Sequence, residues 1–417
     1  MVVRPGGPLS GTVPIGGAKN SVLKLMAATL LAEGTFVLRN VPGIADVEWM
    51  SDLLRSMGCT VERPGPQALR IVRPATIVAE APYELVERMR ASIVVLGPLL
   101  GREHRARVSV PGGDDFGSRP IDLHLKGLEL LGARFTTSHG YIEAECSGLK
   151  GARLMLEYPS VGATENTLMA AVLASGRTVI DNAAREPEIW DLASFLNRMG
   201  ARIQGAGSST ITIDGVGAGD LTGVEHDVVP DRIEAATYLA AVAVAGGEVV
   251  LAGARLEHME MLVQKVGDMG VRISHDPAGI WVLAPARLRA VDVATLPYPG
   301  VATDYMPLLV AMLTVADGVG IVTENVFSGR FRYIDELRRM GADVRTDAHH
   351  AVIRGVEHLS GAPVRAPDIR AGAALAVAGL GADGETVVHD AHHLDRGYED
   401  FAGKLRDVGA DIERVTD

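Results

Sequence analysis

The chain of 417 residues is poor in cysteine, in aromatic residues and in net positive charge. Only Cys59 and Cys146 occur, without paired spacing, so neither a structural disulfide nor a zinc site is expected and a reducing compartment fits. Aromatics make up 4% of residues, whereas glycine occupies 48 positions. That balance favours α/β packing with close helix–sheet approach and many tight turns. The formal net charge of −12 removes any general attraction to nucleic acid or to an anionic membrane. An anionic ligand would have to be held by a local cluster of cations. The longest weakly polar run, residues 235–245, is too short to span a bilayer. Residues 1–7 lack the apolar stretch of a signal peptide. A cytoplasmic protein without membrane insertion is expected, and the length calls for two or more domains.

What the chain does contain is a repeat. An amphipathic helix pattern ends at Gly58 and a strand pattern follows; the same phrase returns at Gly132, Gly200, Gly270, Gly341 and Gly409. Successive glycines are 68 to 74 residues apart, which gives six units of about 70 residues. Each glycine stands where a left-handed residue closes a helix. An earlier phrase in the unit is an alanine- and leucine-rich helix, a glycine and a strand, at 23–38, 167–180, 235–251, 307–322 and 371–388. These helices are apolar nearly all round and should be buried, whereas the later ones carry charge on one face and should be surface. Three units can share a core of buried helices behind an outer layer of sheet, so six units give two α/β domains of three strand-helix-strand-helix repeats.

Polar and charged residues stand where the buried helices begin: Lys19-Asn20, Arg90, Ser160-Val161-Gly162, Asp231-Arg232, Asp304, and Asp368 with Arg370. The loops opening the later helices hold Arg119, Arg185-Glu186, Arg330 and Arg396. Cations at helix N-termini oppose the helix dipole, so stability alone would avoid them, and an anion-binding site is the better reading. The loop 111–120 adds three glycines, Asp114, Asp115 and Arg119 between a strand-like run and a helix-like run. It offers proton donors beside a fixed cation and backbone that can approach a ligand closely.

These residues fall into specific motifs. They are Gly-Gly-Ala-Lys-Asn at 16–20, Met-Arg-Ala-Ser at 89–92, Pro-Gly-Gly at 111–113 with Gly-Ser-Arg-Pro-Ile-Asp-Leu-His at 117–124, and Ser-Val-Gly-Ala-Thr-Glu-Asn at 160–166. Further on stand Asn-Ala-Ala-Arg-Glu-Pro-Glu at 182–188, Pro-Asp-Arg-Ile-Glu at 230–234, Thr-Glu-Asn-Val-Phe at 323–327, Asp-Ile-Arg-Ala-Gly at 368–372 and Asp-Arg-Gly-Tyr at 395–398. Together, over essentially the whole chain, they resemble the enolpyruvyl transferases. The resemblance implies two inside-out α/β barrels, residues 19–229 and residues 1–18 plus 230–417, with the active site in the interdomain cleft. It implies transfer of the enolpyruvyl group of phosphoenolpyruvate to the 3-hydroxyl of UDP-N-acetylglucosamine, the first committed step of peptidoglycan synthesis. It implies Asp114 as proton donor, Asp304 as base, and a clamp of Lys19, Arg90, Arg119, Arg330, Arg370 and Arg396 on phosphate and carboxylate, with Asp368 as a further substrate-binding residue. Asn20 maps to a sugar contact. Pro120, Asp122, Leu123, His124, Ser160, Val161, Gly162 and Val326 map to uridine and diphosphate contacts. Neither metal nor cofactor is implied, and the oligomeric state is left open.

The chain departs from the family pattern in places. Asp114 stands where most members have a cysteine, and Met306 where most have glutamine. Ala45, Val94 and Tyr158 replace a lysine, a tryptophan and a lysine of some members. To protonate carbon at neutral pH, an aspartate must be lifted well above its ordinary value near 4. Met306 motivates a second reading, a paralogue acting on another nucleotide such as UMP. A non-catalytic homologue would require loss of a clamp or acid–base residue, and none is lost.

Overall fold

In the computed structural model, which describes residues 1–112, 120–327 and 329–415, the chain divides into two units. Of the described residues, one unit takes Met1–Gly16 and those from Pro230 onward; the other takes those from Gly17 to Val229. Gly17 and Ala18, expected with the N-terminal segment, belong instead to the second of these. The reason is local: the Ala18 N–H donates to the Val229 carbonyl at 2.7 Å.

The 17–229 unit holds three four-stranded sheets of one pattern. In the first, Gly34–Arg39 pairs antiparallel with Ala68–Arg73, which pairs antiparallel with Thr60–Gly65. The short strand Glu225–Asp227 adds in parallel on the other edge, Val37 opposite Glu225. The last strand of the unit thus returns to its first sheet. Behind the sheets lie three buried helices, α1 (Lys19–Ala28), α2 (Leu96–Glu103) and α3 (Val161–Ala171). The sequence marks the start of this helix with Arg90 but shows no alanine- and leucine-rich phrase for α2. It follows a short 3-10 stretch, Arg90–Val95, and carries Gly97, Pro98 and Gly101, which blur a helical signature. Those glycines have a use. A β-carbon on Gly97 would lie 2.2 Å from the Asn166 carbonyl oxygen, so only glycine lets α2 approach α3 so closely.

The other unit repeats the plan with three four-stranded sheets and a small two-stranded one. Its buried helices are α4 (Arg232–Ala245), α5 (Met306–Thr314) and α6 (Ile369–Leu380), each in contact with the other two. Beyond their first turns all three are apolar nearly all round, as expected of helices with no solvent face. The N-terminal residues belong here because they complete two of the sheets. Leu9–Pro14 runs parallel to Gly247–Ala252, and Val2–Arg4 fills the place between Thr386–His389 and Asp411–Glu413.

The six glycines of the repeat all have positive φ, from 88° to 121°. Each follows an amphipathic helix, such as Ala45–Ser56, Pro187–Met199 or Phe401–Asp407, and turns the chain into the next strand. Among the described residues, no helix is long and apolar enough to cross a membrane.

Candidate active site

In the 17–229 unit, α1 opens on Lys19 with no side-chain cap and no acidic residue in its first turn. A helix start with a lysine and no carboxylate in its first turn suits an anion. The Lys19 ammonium lies 2.8 Å from the Asp46 carboxylate, and both are buried. Two residues on, Ser21 donates to Asp191 at 2.5 Å, and Asp191 also bonds the His226 ring at 2.8 Å. The start of α1 is thereby pinned from behind. One turn on, the Lys24 ammonium donates to the Asn20 carbonyl at 2.8 Å and lies 3.5 Å from Glu165. Burial pushes the Glu165 carboxyl up to about 7, against the pull of Lys24.

A second group forms around the imidazole of His124, in the first turn of the helix Asp122–Leu130. The ring lies against Gly162, where a β-carbon would sit 2.7 Å from Cε1. Arg90 donates to the Pro120 carbonyl at 3.2 Å. Ser160 caps α3, its hydroxyl accepting from the Ala163 N–H at 3.3 Å. The structure thus brings Arg90, Pro120, His124 and Gly162 together, with Asp122, Leu123, Ser160 and Val161 beside them in sequence. Burial, then the positive charges of Arg90 and Lys24, push His124 down to about 4, against Asp122. At neutral pH it is an uncharged ring.

In the other unit the centre is Asp304. Arg330 reaches its carboxylate at 2.8 Å and Arg370 at 3.6 Å. Burial alone would raise this carboxyl, but Arg330, Arg370 and then Arg232 hold it well below the usual carboxylate range. Thr303 accepts from Arg330 and donates to Glu324, each at 2.8 Å. Glu324 accepts the N–H groups of Val326 and Phe327, which shapes the turn carrying Val326. Asp368 stands at the start of α6. It caps α6, accepting from the N–H groups of Arg370 and Ala371 at 2.8 and 2.9 Å. Arg370 in turn lies over the Tyr398 ring, and its Nη1 is buried with no hydrogen-bond partner among the described residues. Arg396 is buried, one residue before Gly397, and a β-carbon on Gly397 would lie 3.6 Å from that same Nη1.

Asp114 and Arg119 lie outside the described residues. The described chain before them ends at a tight place, since a β-carbon on Gly112 would be 2.0 Å from the Glu87 carbonyl oxygen. Five residues with close contacts to the site were not singled out from sequence: Asp46, Lys24, Thr303, Glu324 and Asn166. Asn166 and Glu324 stand inside quoted motifs, which was the only available signal. Asp46 reads as one more acidic residue in the first turn of a surface helix.

The family EPSP synthase (3-phosphoshikimate 1-carboxyvinyltransferase) matches residues 3–405. A UDP-N-acetylglucosamine 1-carboxyvinyltransferase of Corynebacterium jeikeium is 52% identical, over 100% of this chain and 99% of that protein. One of Mycobacterium tuberculosis is also 52% identical with the same coverage. Among solved structures, the enolpyruvyl transferase NikO from Streptomyces tendae superposes with a TM-score of 0.89 at 26% identity, covering 98% of this chain and 97% of that one.

Proposed function

The chain belongs to the EPSP synthase (3-phosphoshikimate 1-carboxyvinyltransferase) family, and from that premise we propose its reaction. It transfers the enolpyruvyl group of phosphoenolpyruvate to the 3-hydroxyl of UDP-N-acetylglucosamine and releases phosphate, the first committed step of peptidoglycan synthesis, in the cytoplasm. Full-length identity of 52% to enzymes of that name supports this reading. The observation that carries the chemistry is the carboxylate of Asp304 held by Arg330 and Arg370. We also read each unit as an inside-out barrel, three sheets outside three helices.

The sugar hydroxyl adds to C2 of phosphoenolpyruvate while C3 takes a proton. The tetrahedral adduct then loses phosphate and a C3 proton. Lys19, Arg90, Arg119, Arg330, Arg370 and Arg396 are assigned to the phosphate and carboxylate, where guanidinium forks match planar anions and stabilise charge as it develops. Asp304 takes the hydroxyl proton. In the free protein its arginines make it a very weak base. An anion that shares those arginines weakens their hold, so substrate binding itself raises the basicity of Asp304. Asp114 supplies the proton to C3. Asn20 contacts the sugar, and the groups around His124, with Val326, hold the nucleotide. Asp368 acts by holding Arg370 through its cap.

The test is phosphate release from phosphoenolpyruvate with UDP-N-acetylglucosamine or UMP as acceptor. Turnover with the nucleotide sugar supports the reading; turnover with UMP alone overturns it.

A further inference from the structure

The side chain of Asn166, on α3, does something unusual to a neighbouring helix. The Gly97 N–H and the Ile93 carbonyl are four residues apart and would bond each other in a continuous α-helix. Here the chain changes from the 3-10 stretch to α2 between them. The amide of Asn166 fills the break. Its Oδ1 accepts the Gly97 N–H at 2.8 Å, and its Nδ2 donates to the Ile93 carbonyl at 3.1 Å. A backbone N–H can only donate and a carbonyl can only accept, so the two ends of this amide are not interchangeable. The second hydrogen of Nδ2 points to His124 Nδ1, at 2.8 Å.

That contact leaves His124 one arrangement. Nδ1 faces a donor and must be the bare, accepting nitrogen, so the proton of the neutral ring sits on Nε2. We propose that Asn166 is a positioning residue: it holds His124 as the Nε2–H tautomer, so that the imidazole meets the nucleotide of the acceptor substrate as a neutral hydrogen-bond donor. The inference rests on the reading above, which places the nucleotide at His124. The surroundings agree with it. Asn166 is fully buried and α3 packs directly on α2, so the amide cannot turn without breaking both backbone contacts. Among the described residues, the charged groups that face the ring are Arg90 from the 3-10 stretch, Lys24 from α1 and Asp122 from its own helix. Two of the three oppose a charge on His124, which keeps the donor uncharged through the neutral range.

The protonation state can be read directly on the free protein by nitrogen-15 spectra of labelled histidines between pH 5.5 and about 8, where burial keeps this ring neutral. The expected result is a single Nε2–H imidazole at His124. A proton on Nδ1, or a mixture of tautomers, overturns the proposal. Asn166→Asp preserves the shape and the acceptor for Gly97 but turns an oxygen toward Nδ1. It should move a proton onto Nδ1 and weaken UDP binding about tenfold, the loss of one good hydrogen bond. The KM for phosphoenolpyruvate should change far less. Unchanged UDP affinity together with a switched tautomer would refute the role in binding. Wild-type turnover with the nucleotide sugar is measured first and tests the reading itself, independently of either result.

Discussion

The hydroxyl of Tyr333 donates to the sulfur of Met306 at 2.8 Å, and both side chains are buried. The methionine that departs from the family's glutamine is thus a hydrogen-bond acceptor for a buried phenol. Met306→Leu leaves that hydroxyl without a partner and should destabilise the protein by about 1–3 kcal/mol. Met306→Gln restores an acceptor and should be nearly neutral. Urea unfolding of the two variants checks the order. Neither should change the preference for the acceptor, because the contact of Met306 is with Tyr333. A switch in acceptor on Met306→Gln would revive the reading that this position selects another nucleotide.

Glu165 gives a pH-dependent stability. Its folded value near 7 lies above the ordinary value of about 4.3. Between those values the folded state binds the proton and the unfolded state does not, so the contribution is full below about pH 4 and is lost as pH rises through 7. Glu165→Gln cannot titrate. Relative to the wild type it should gain stability from pH 5 to pH 8, read as a shift in urea midpoint. A constant difference across that range would show that Glu165 is ionised throughout.

How much of this was legible beforehand depends on the kind of signal. The repeat was legible because it is local: each of the six glycines closes a helix with positive φ, a requirement that leaves a glycine in the sequence. The helix α2 was marked only at its start, by Arg90, because its glycines serve the approach of α3, a tertiary demand that weakens the local pattern. The same divide runs through the site. Asp304, Arg330 and Arg370 could be found as charges at helix mouths. Asp46 and Asn166 could not, since their meaning comes from Lys19 and His124, which are distant in sequence.

Asp304 separates catalysis from binding. Asp304→Asn removes the base and should lower kcat by roughly 10²–10⁴-fold. It also removes the anion that competes for Arg330 and Arg370. Inorganic phosphate should therefore bind the variant at least as tightly as the wild type, as read by calorimetry. Weaker phosphate binding would mean that Asp304 chiefly holds the arginines in place. Because the carboxyl is kept well below its usual range, the free enzyme should show no loss of kcat/KM from this group above about pH 4.

The last prediction concerns the sequence 111–120, where two aspartates adjoin and the proton donor is assigned to the first. Asp114→Asn should abolish turnover, whereas Asp115→Asn should leave a measurable rate; the reverse order would move the assignment to Asp115. A donor must be protonated, so kcat should fall as pH rises through the value of Asp114 in the substrate complex. A cysteine titrates about four to five units higher than an aspartate when both are free, so Asp114→Cys should shift that fall to higher pH. The same substitution changes reactivity. The family's cysteine is alkylated by the epoxide fosfomycin, and a carboxylate is a weaker nucleophile than a thiolate. The wild type should resist time-dependent inactivation at low drug concentration, and Asp114→Cys should acquire it. Rapid inactivation of the wild type would contradict the assignment of Asp114 to the cysteine's place.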